Sequence, residues 1–230
     1  MSKTAWIIFG SVIVLLLGGL IAWSRLSSVS SNVSSIDVNS ITAASDQNGQ
    51  IADHTFGKTD SKVVLIEYGD FQCPSCGGAH PQIKALTEEY KDKILFIFRN
   101  FPLTTIHPNA RAAAAAVEAA GLQGKYWEMH NLVFESQSEW GTLTGNARTD
   151  KFTEYATSLG INKETFLKDL ASGSVNQKIS FDQALAKKVS VDATPTFYLN
   201  GAKLDSTVAG SVVQGSSDQL KALIDKELSN

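Results

Sequence analysis

The sequence predicts an α/β fold built in two halves, with an all-helical block inserted between them and an apolar span ahead of both. Three observations lead there. Two short runs of β-branched, aliphatic and aromatic residues, Val63–Tyr68 and Ile94–Phe98, bracket a stretch of helical spacing. From His107 to about Leu170 the pattern is helical throughout. After that come another helix, a strand, an Asn-Gly turn and a final amphipathic segment. A chain of 230 residues suits one ordinary domain with extra segments, and a net charge of −3 without a local Lys/Arg run gives no field for nucleic acid.

Taken in order, Thr4 to Trp23 has no charged residue. Its length matches the ~20 residues that cross a ~30 Å hydrocarbon core. Trp6 and Trp23 stand near its ends, where interfacial aromatics belong. It exceeds the ~7–15 residues of a signal-peptide core, and residues 19–23 lack a small-x-small cleavage site. Residues 1–25 therefore read as an uncleaved, single-pass anchor rather than a cleaved leader. The short flank stays inside and the large remainder is exported, to a compartment where disulfides persist. Residues 26–50, rich in Ser, Asn and small residues with Ile36, Val38 and Ile41 as sparse apolar positions, read as a flexible tether.

Residues 51–104 form the first half: the strand Val63–Tyr68, a break at Gly69–Gln72, a helix to about Tyr90, and the strand Ile94–Phe98. Such a β-α-β unit is right-handed with parallel strands. Residues 105–174 are the helical insertion. Five consecutive alanines, Ala112–Ala116, drive a helix over 110–120, and 125–134, 151–159 and 163–170 follow. Residues 175–230 close the sheet: a helix over 176–188, the strand Thr196–Leu199, the turn Asn200–Gly201, a returning strand over 203–208, and a last helix capped by Ser217.

The only two cysteines are Cys73 and Cys76 in Cys73-Pro74-Ser75-Cys76. Two thiols this close are no structural framework. They are a redox pair, part of a metal site, or an accident of composition. The first sulfur falls at the start of a helix that follows a strand. There, unpaired N–H groups and the helix dipole favour a thiolate, and pKa values drop to ~3.5–7.5. Pro74 suits an early helical position. Cys73 is thus the nucleophile and Cys76 the resolving thiol. A zinc or copper carrier using Cys73, Cys76 and His80 is the competing reading, weakened by the lack of a second ligand pair. His54 or His107 would be its further ligand, and His130 reads as a core or boundary residue.

The stretch Glu67-Tyr68-Gly69-Asp70-Phe71-Gln72-Cys73-Pro74-Ser75-Cys76 resembles the DsbA-like family of thiol-disulfide oxidoreductases, above all its membrane-anchored bacterial members. The resemblance spans about 56–228 and implies a thioredoxin-like fold with the helical insertion. Thr194-Pro195 matches the family's proline by position, which implies a cis bond opposite the cysteines; from the residues alone, a trans proline opening an edge strand is equally open. Glu67 matches the buried acid of thioredoxin-like proteins, implying a proton relay to Cys76 against the plain alternative of a solvated strand residue. Asp70 reads as a turn residue, and Phe71 and Gln72 as parts of the rim.

The resemblance further implies a dithiol oxidase, without a cofactor, that places disulfides into exported cysteine-containing proteins. A membrane quinone-linked oxidase would reoxidise it. Its place would be the bacterial cell membrane, with the catalytic domain on the extracytoplasmic side. A disulfide reductase or isomerase of the same fold is the alternative.

Overall fold

The structure, a computed structural model, describes residues 33–230, so the expected anchor lies outside the described residues. Among the described residues no helix is long and apolar enough to cross a membrane. A five-stranded sheet runs in the order β1-β3-β2-β4-β5. Its strands are β1 (Thr55–Gly57), β2 (Val64–Gly69), β3 (Leu95–Asn100), β4 (Thr196–Leu199) and β5 (Ala202–Lys203). β2 and β3 are parallel; β1 on β3, β4 on β2 and β5 on β4 are antiparallel. The two predicted strands are the central pair, which is why they read as continuous apolar runs buried on both faces.

Helix α1 (Pro74–Glu89) crosses from β2 to β3, as the β-α-β reading requires. The insertion holds α2 (Ala110–Gly121), α3 (Tyr126–Glu135), the single-turn α4 (Gln137–Trp140), α5 (Gly145–Ser158) and α6 (Lys163–Leu170). Then come α7 (Gly173–Lys188), α8 (Ser206–Val213) and α9 (Asp218–Leu228). One face of the sheet buries Leu65, Phe96 and Phe98 with α1 and the helices of the insertion, while the other buries Ile66, Tyr68 and Ile97 beneath Phe181 and Leu185 of α7. The alternation of strand side chains assigns each residue to its layer.

Several elements depart from the sequence reading. The return over 203–208 is a strand only at Ala202–Lys203; Asp205 then accepts hydrogen bonds from the Thr207 and Val208 N–H groups and opens α8. A side-chain cap outweighs the β-branched composition there. Helix α5 begins at Gly145 rather than 151, and β1 and α4 were not foreseen.

From residue 33 onward the predicted tether is docked rather than free. Val33, Ile36 and Val38 pack on the α7 layer. The Lys188 ammonium donates to the carbonyls of Val33, Ser34 and Ile36 at 3.0, 2.9 and 2.6 Å. Arg99, fully buried, donates to the carbonyls of Val38 and Ser40 and to Asp53 at 2.7 Å. Asp53 in turn takes Lys178, which also pairs with Asp182 at 2.6 Å. Sparse apolar residues suggested a tether because the binding here is to backbone carbonyls, and a buried cation needs such partners.

Candidate active site

Cys73 is the N-cap of α1, in extended conformation, with Pro74 in the first helical turn. Its N–H donates to the Asp70 carbonyl at 3.1 Å and its own carbonyl accepts from Gly77 at 3.0 Å. Both cysteines are free thiols. Cys73 is 6% exposed and Cys76 fully buried, while Pro74 and Ser75 stand at the surface. Solvent therefore reaches the motif from the Cys73 side.

The two sulfurs are driven apart in acidity. A hydrogen bond from the Cys76 thiol is the largest influence on Cys73. Burial opposes it; the Thr194 side chain and the Cys76 and Ser75 N–H groups add to it, and the result is a pKa of about 5. Burial, the hydrogen bond to Cys73 and the Glu67 charge push the Cys76 thiol well above its ordinary range. At neutral pH this is one thiolate beside one thiol, the pairing that the helix-start position predicts.

Thr194-Pro195 is a cis peptide bond, and the Thr194 carbonyl lies 3.4 Å from the Cys73 sulfur. The Thr194 hydroxyl is buried on the Cys73 side of the loop, where it helps to lower the thiol's pKa. Beside it opens a groove of about 420 Å³ lined by Ser75, Thr194, Pro195, Leu204, Ala209 and Val213 among others. The loop thus faces the cysteines across an accessible trough.

Glu67 is 4% exposed, on the same sheet face as Leu65, between Phe98 and Phe197 of the neighbouring strands. It forms no ion pair among the described residues. Burial, then the Cys73 charge, raises it to about 8, so it is protonated at neutral pH. The alternative of a solvated strand residue does not fit this burial. Gly69 makes room for the arrangement: a Cβ there would stand 2.3 Å from the Phe98 ring and 3.3 Å from a Glu67 carboxyl oxygen.

Residues of no evident significance in sequence hold the motif in place. Gln137 of α4 donates to the Phe71 carbonyl at 2.8 Å and the Cys73 carbonyl at 3.0 Å. Its amide occupies the space a side chain at Gly77 would need, 2.7 Å from a Cβ there. Asp70, read as a turn residue, is buried and accepts from the Gln72 and Leu103 N–H groups and pairs with His107 at 2.7 Å. Gln72 donates to the Gly141 carbonyl at 2.8 Å and accepts from the Asn109 N–H at 2.6 Å. Apart from the Asp70–Gln72 contact of the turn itself, these partners are remote in sequence, and no local pattern announces them.

His80 is buried, stacked on Phe134 at 4.9 Å, and its ring lies 5.5 Å from that of His130. Burial lowers His80 to about 4 and His130 to about 3. His54 pairs with Glu118 at 2.8 Å. Among the described residues no group of three or more His, Cys, Asp or Glu is arranged to hold a metal ion. The donors of the carrier reading are therefore not brought together.

Fold and site define a class: a thioredoxin-fold dithiol protein with a helical insertion and a cis-proline loop facing the motif. The chain belongs to the thioredoxin family, whose sequence profile, described as "Thioredoxin", matches residues 50–226. In fold it is DsbA-like. It is similar to BdbD from Bacillus subtilis (24% identity, TM-score 0.64, covering 84% of this chain and 100% of that one). A thioredoxin-like oxidoreductase from Silicibacter pomeroyi is comparably similar (23%, TM-score 0.62, 77% and 93%). So is MdbA, a thiol-disulfide oxidoreductase from Corynebacterium diphtheriae (20%, TM-score 0.59, 83% and 100%). By sequence it matches the Na(+)/H(+) antiporter NhaA 1 of Salinispora arenicola, 38% identical over 151 residues, 66% of this chain and 22% of that protein. The NhaA 1 of Mycolicibacterium vanbaalenii matches at 37% over 155 residues, 66% and 24%. The chain thus spans about a quarter of the length of these curated relatives.

Proposed function

We propose that this chain is a protein thiol-disulfide oxidoreductase, and that it works as a dithiol oxidase on exported cysteine-containing proteins. The observation that carries the reading is the split between Cys73, held near pKa 5 at the helix start, and Cys76, buried and raised. In the disulfide form, a substrate thiolate attacks the Cys73 sulfur. The Cys73–Cys76 bond breaks, and Cys76 leaves and takes up a proton, which the Glu67 carboxyl supplies. A second substrate thiolate attacks the substrate sulfur of the mixed disulfide, and Cys73 leaves as its stable thiolate. The substrate loses two electrons and the dithiol gains them. A low-pKa Cys73 favours the reduced form, which is the character of an oxidant.

Residues 1–25 anchor the protein in a bacterial cell membrane with residues 51–230 on the extracytoplasmic side, and a membrane quinone-linked oxidase reoxidises it. The uncharged run Thr4–Trp23 supports the anchor, and the oxidising chemistry supports the compartment. Substrate pairing with the Thr194 loop places the peptide beside Cys73.

Two measurements test this. Cys76→Ala expressed in the source cell accumulates mixed disulfides on Cys73 with exported proteins; their absence overturns the reading. A potential near ~−120 mV marks an oxidase, whereas one near ~−270 mV makes the chain a reductant.

A further inference from the structure

A second cleft, of about 340 Å³, opens on the helical insertion between α2, α5 and α7. Its apolar lining comes from Ala112, Ala115, Phe152 and Leu170, and two guanidinium groups, Arg111 and Arg148, share it. No Asp or Glu lines the cleft, and neither arginine forms an ion pair among the described residues. Arg111 donates only to neutral groups: the Gln183 amide oxygen at 3.3 Å, and the Asn176 carbonyl and Ser180 hydroxyl at 2.9 Å each. Arg148 donates to the Asn109 side-chain oxygen at 2.8 Å. Burial lowers the Arg111 pKa with no neighbouring charge to offset it.

Two half-buried cations without a counter-charge give the cleft a positive field and free N–H donors suited to an anion. The cleft is also tied to the motif. Arg148 holds the Asn109 side chain, the Asn109 N–H donates to Gln72 at 2.6 Å, and Gln72 precedes Cys73. This chain of hydrogen bonds joins the cleft to the residue before Cys73.

We propose that the Arg111–Arg148 cleft docks an acidic side chain, Asp or Glu, of a polypeptide bound at the dithiol, with an adjoining apolar residue against Phe152 and Leu170. As a substrate site it rests on the oxidoreductase reading; as a binding site it does not. The arginines supply paired N–H donors to a carboxylate, and the apolar walls strengthen that contact by excluding water. The cleft thereby selects among cysteine-containing partners.

The test uses two labelled peptides that differ only in Glu-Leu-Glu against Gln-Leu-Gln, each with serine in place of cysteine. They are bound to the full chain carrying Cys73→Ser and Cys76→Ser, so that docking is read without redox chemistry. The Glu peptide should bind about tenfold more tightly at low salt. The preference should shrink in high salt, fall to within about twofold in Arg111→Gln/Arg148→Gln, and survive in Arg148→Lys. Unchanged binding of the Gln peptide shows that the variants are folded. Equal binding of the two peptides to the protein with both arginines overturns the proposal. So does tight binding of inorganic phosphate or acetate without any advantage for the Glu peptide, which marks a small-anion site. Failure of disulfide exchange with the native cysteines, alongside a retained Glu preference, removes the oxidase reading and leaves the cleft standing.

Discussion

At the scale of single residues, Cys73 owes its acidity to donors that converge on one sulfur. The Cys76 thiol contributes most, followed among the favourable contacts by Thr194 and the first-turn N–H groups. Holding Cys73 at about 5 instead of 9.0 keeps it ionised at pH 7. Two pH units of ionisation are worth about 2.7 kcal/mol in favour of the dithiol, or about 60 mV in a two-electron couple. Because Cys76 is the main donor, Cys76→Ala should raise the Cys73 midpoint by roughly one unit, the size of one hydrogen bond to a charged group. Thiolate absorbance followed against pH measures this directly. An unmoved midpoint would show that Thr194 and the helix start set the acidity without the Cys76 thiol.

At the scale of elements, α4 is the piece through which the insertion grips the motif. Replacing Gln137 by Leu removes the donors to the Phe71 and Cys73 carbonyls. It should lower stability by about 1–2 kcal/mol, seen as a reduced urea midpoint at constant slope. An unchanged midpoint would mean that water replaces both bonds without loss.

The elements also show what a sequence makes legible. Val63–Tyr68 and Ile94–Phe98 are evident because burial on both sides writes continuous apolar runs. Asn200 and Gly201, at φ 47° and 82°, are evident because the turn needs residues that tolerate positive φ. Helix α1 continues through Pro81, and the helical spacing of Ile83, Leu86 and Tyr90 after it is what made it readable. Gln137, Asn109 and Asp70 act through carbonyl and amide groups distant in sequence, and such contacts leave no periodic trace. The docking of residues 33–50 escaped for the same reason: Lys188 and Arg99 bind its backbone, whatever its side chains are. Of the site, Cys73 and Cys76 could be placed by their own chemistry. Glu67 and Pro195 acquired roles only through a resemblance, which the buried carboxyl and the cis peptide bond now accompany in the structure.

At the scale of the whole molecule, the buried ionisable groups make stability depend on pH in opposite senses. His80 and His130 are lowered from 6.5 to about 4 and about 3, so the unfolded chain binds more protons below pH 6.5 and stability is lost as pH falls through that window. Glu67 is raised from 4.5 to about 8, so the folded chain holds the extra proton and stability is lost as pH rises from 4.5 to 8. Cys73 titrates only in the dithiol form. Lowered from 9.0 to about 5, it adds stability as pH rises from 5 to 9. The disulfide form should therefore lose stability on the alkaline side, by at most a few kcal/mol, and the dithiol form should resist that loss. Part of the Glu67 shift comes from the Cys73 charge, so the alkaline loss in the disulfide form is set by burial of the carboxyl alone. Glu67→Gln removes the titrating group and should flatten the curve of the disulfide form above pH 6.5, leaving the histidine-driven loss below pH 6.5 unopposed. Urea unfolding of both redox forms across pH 4–9 separates the contributions. If the oxidised protein and its Glu67→Gln variant fall in parallel above pH 6.5, Glu67 is not the buried proton store that the exchange chemistry draws on, and Cys76 must take its proton from solvent.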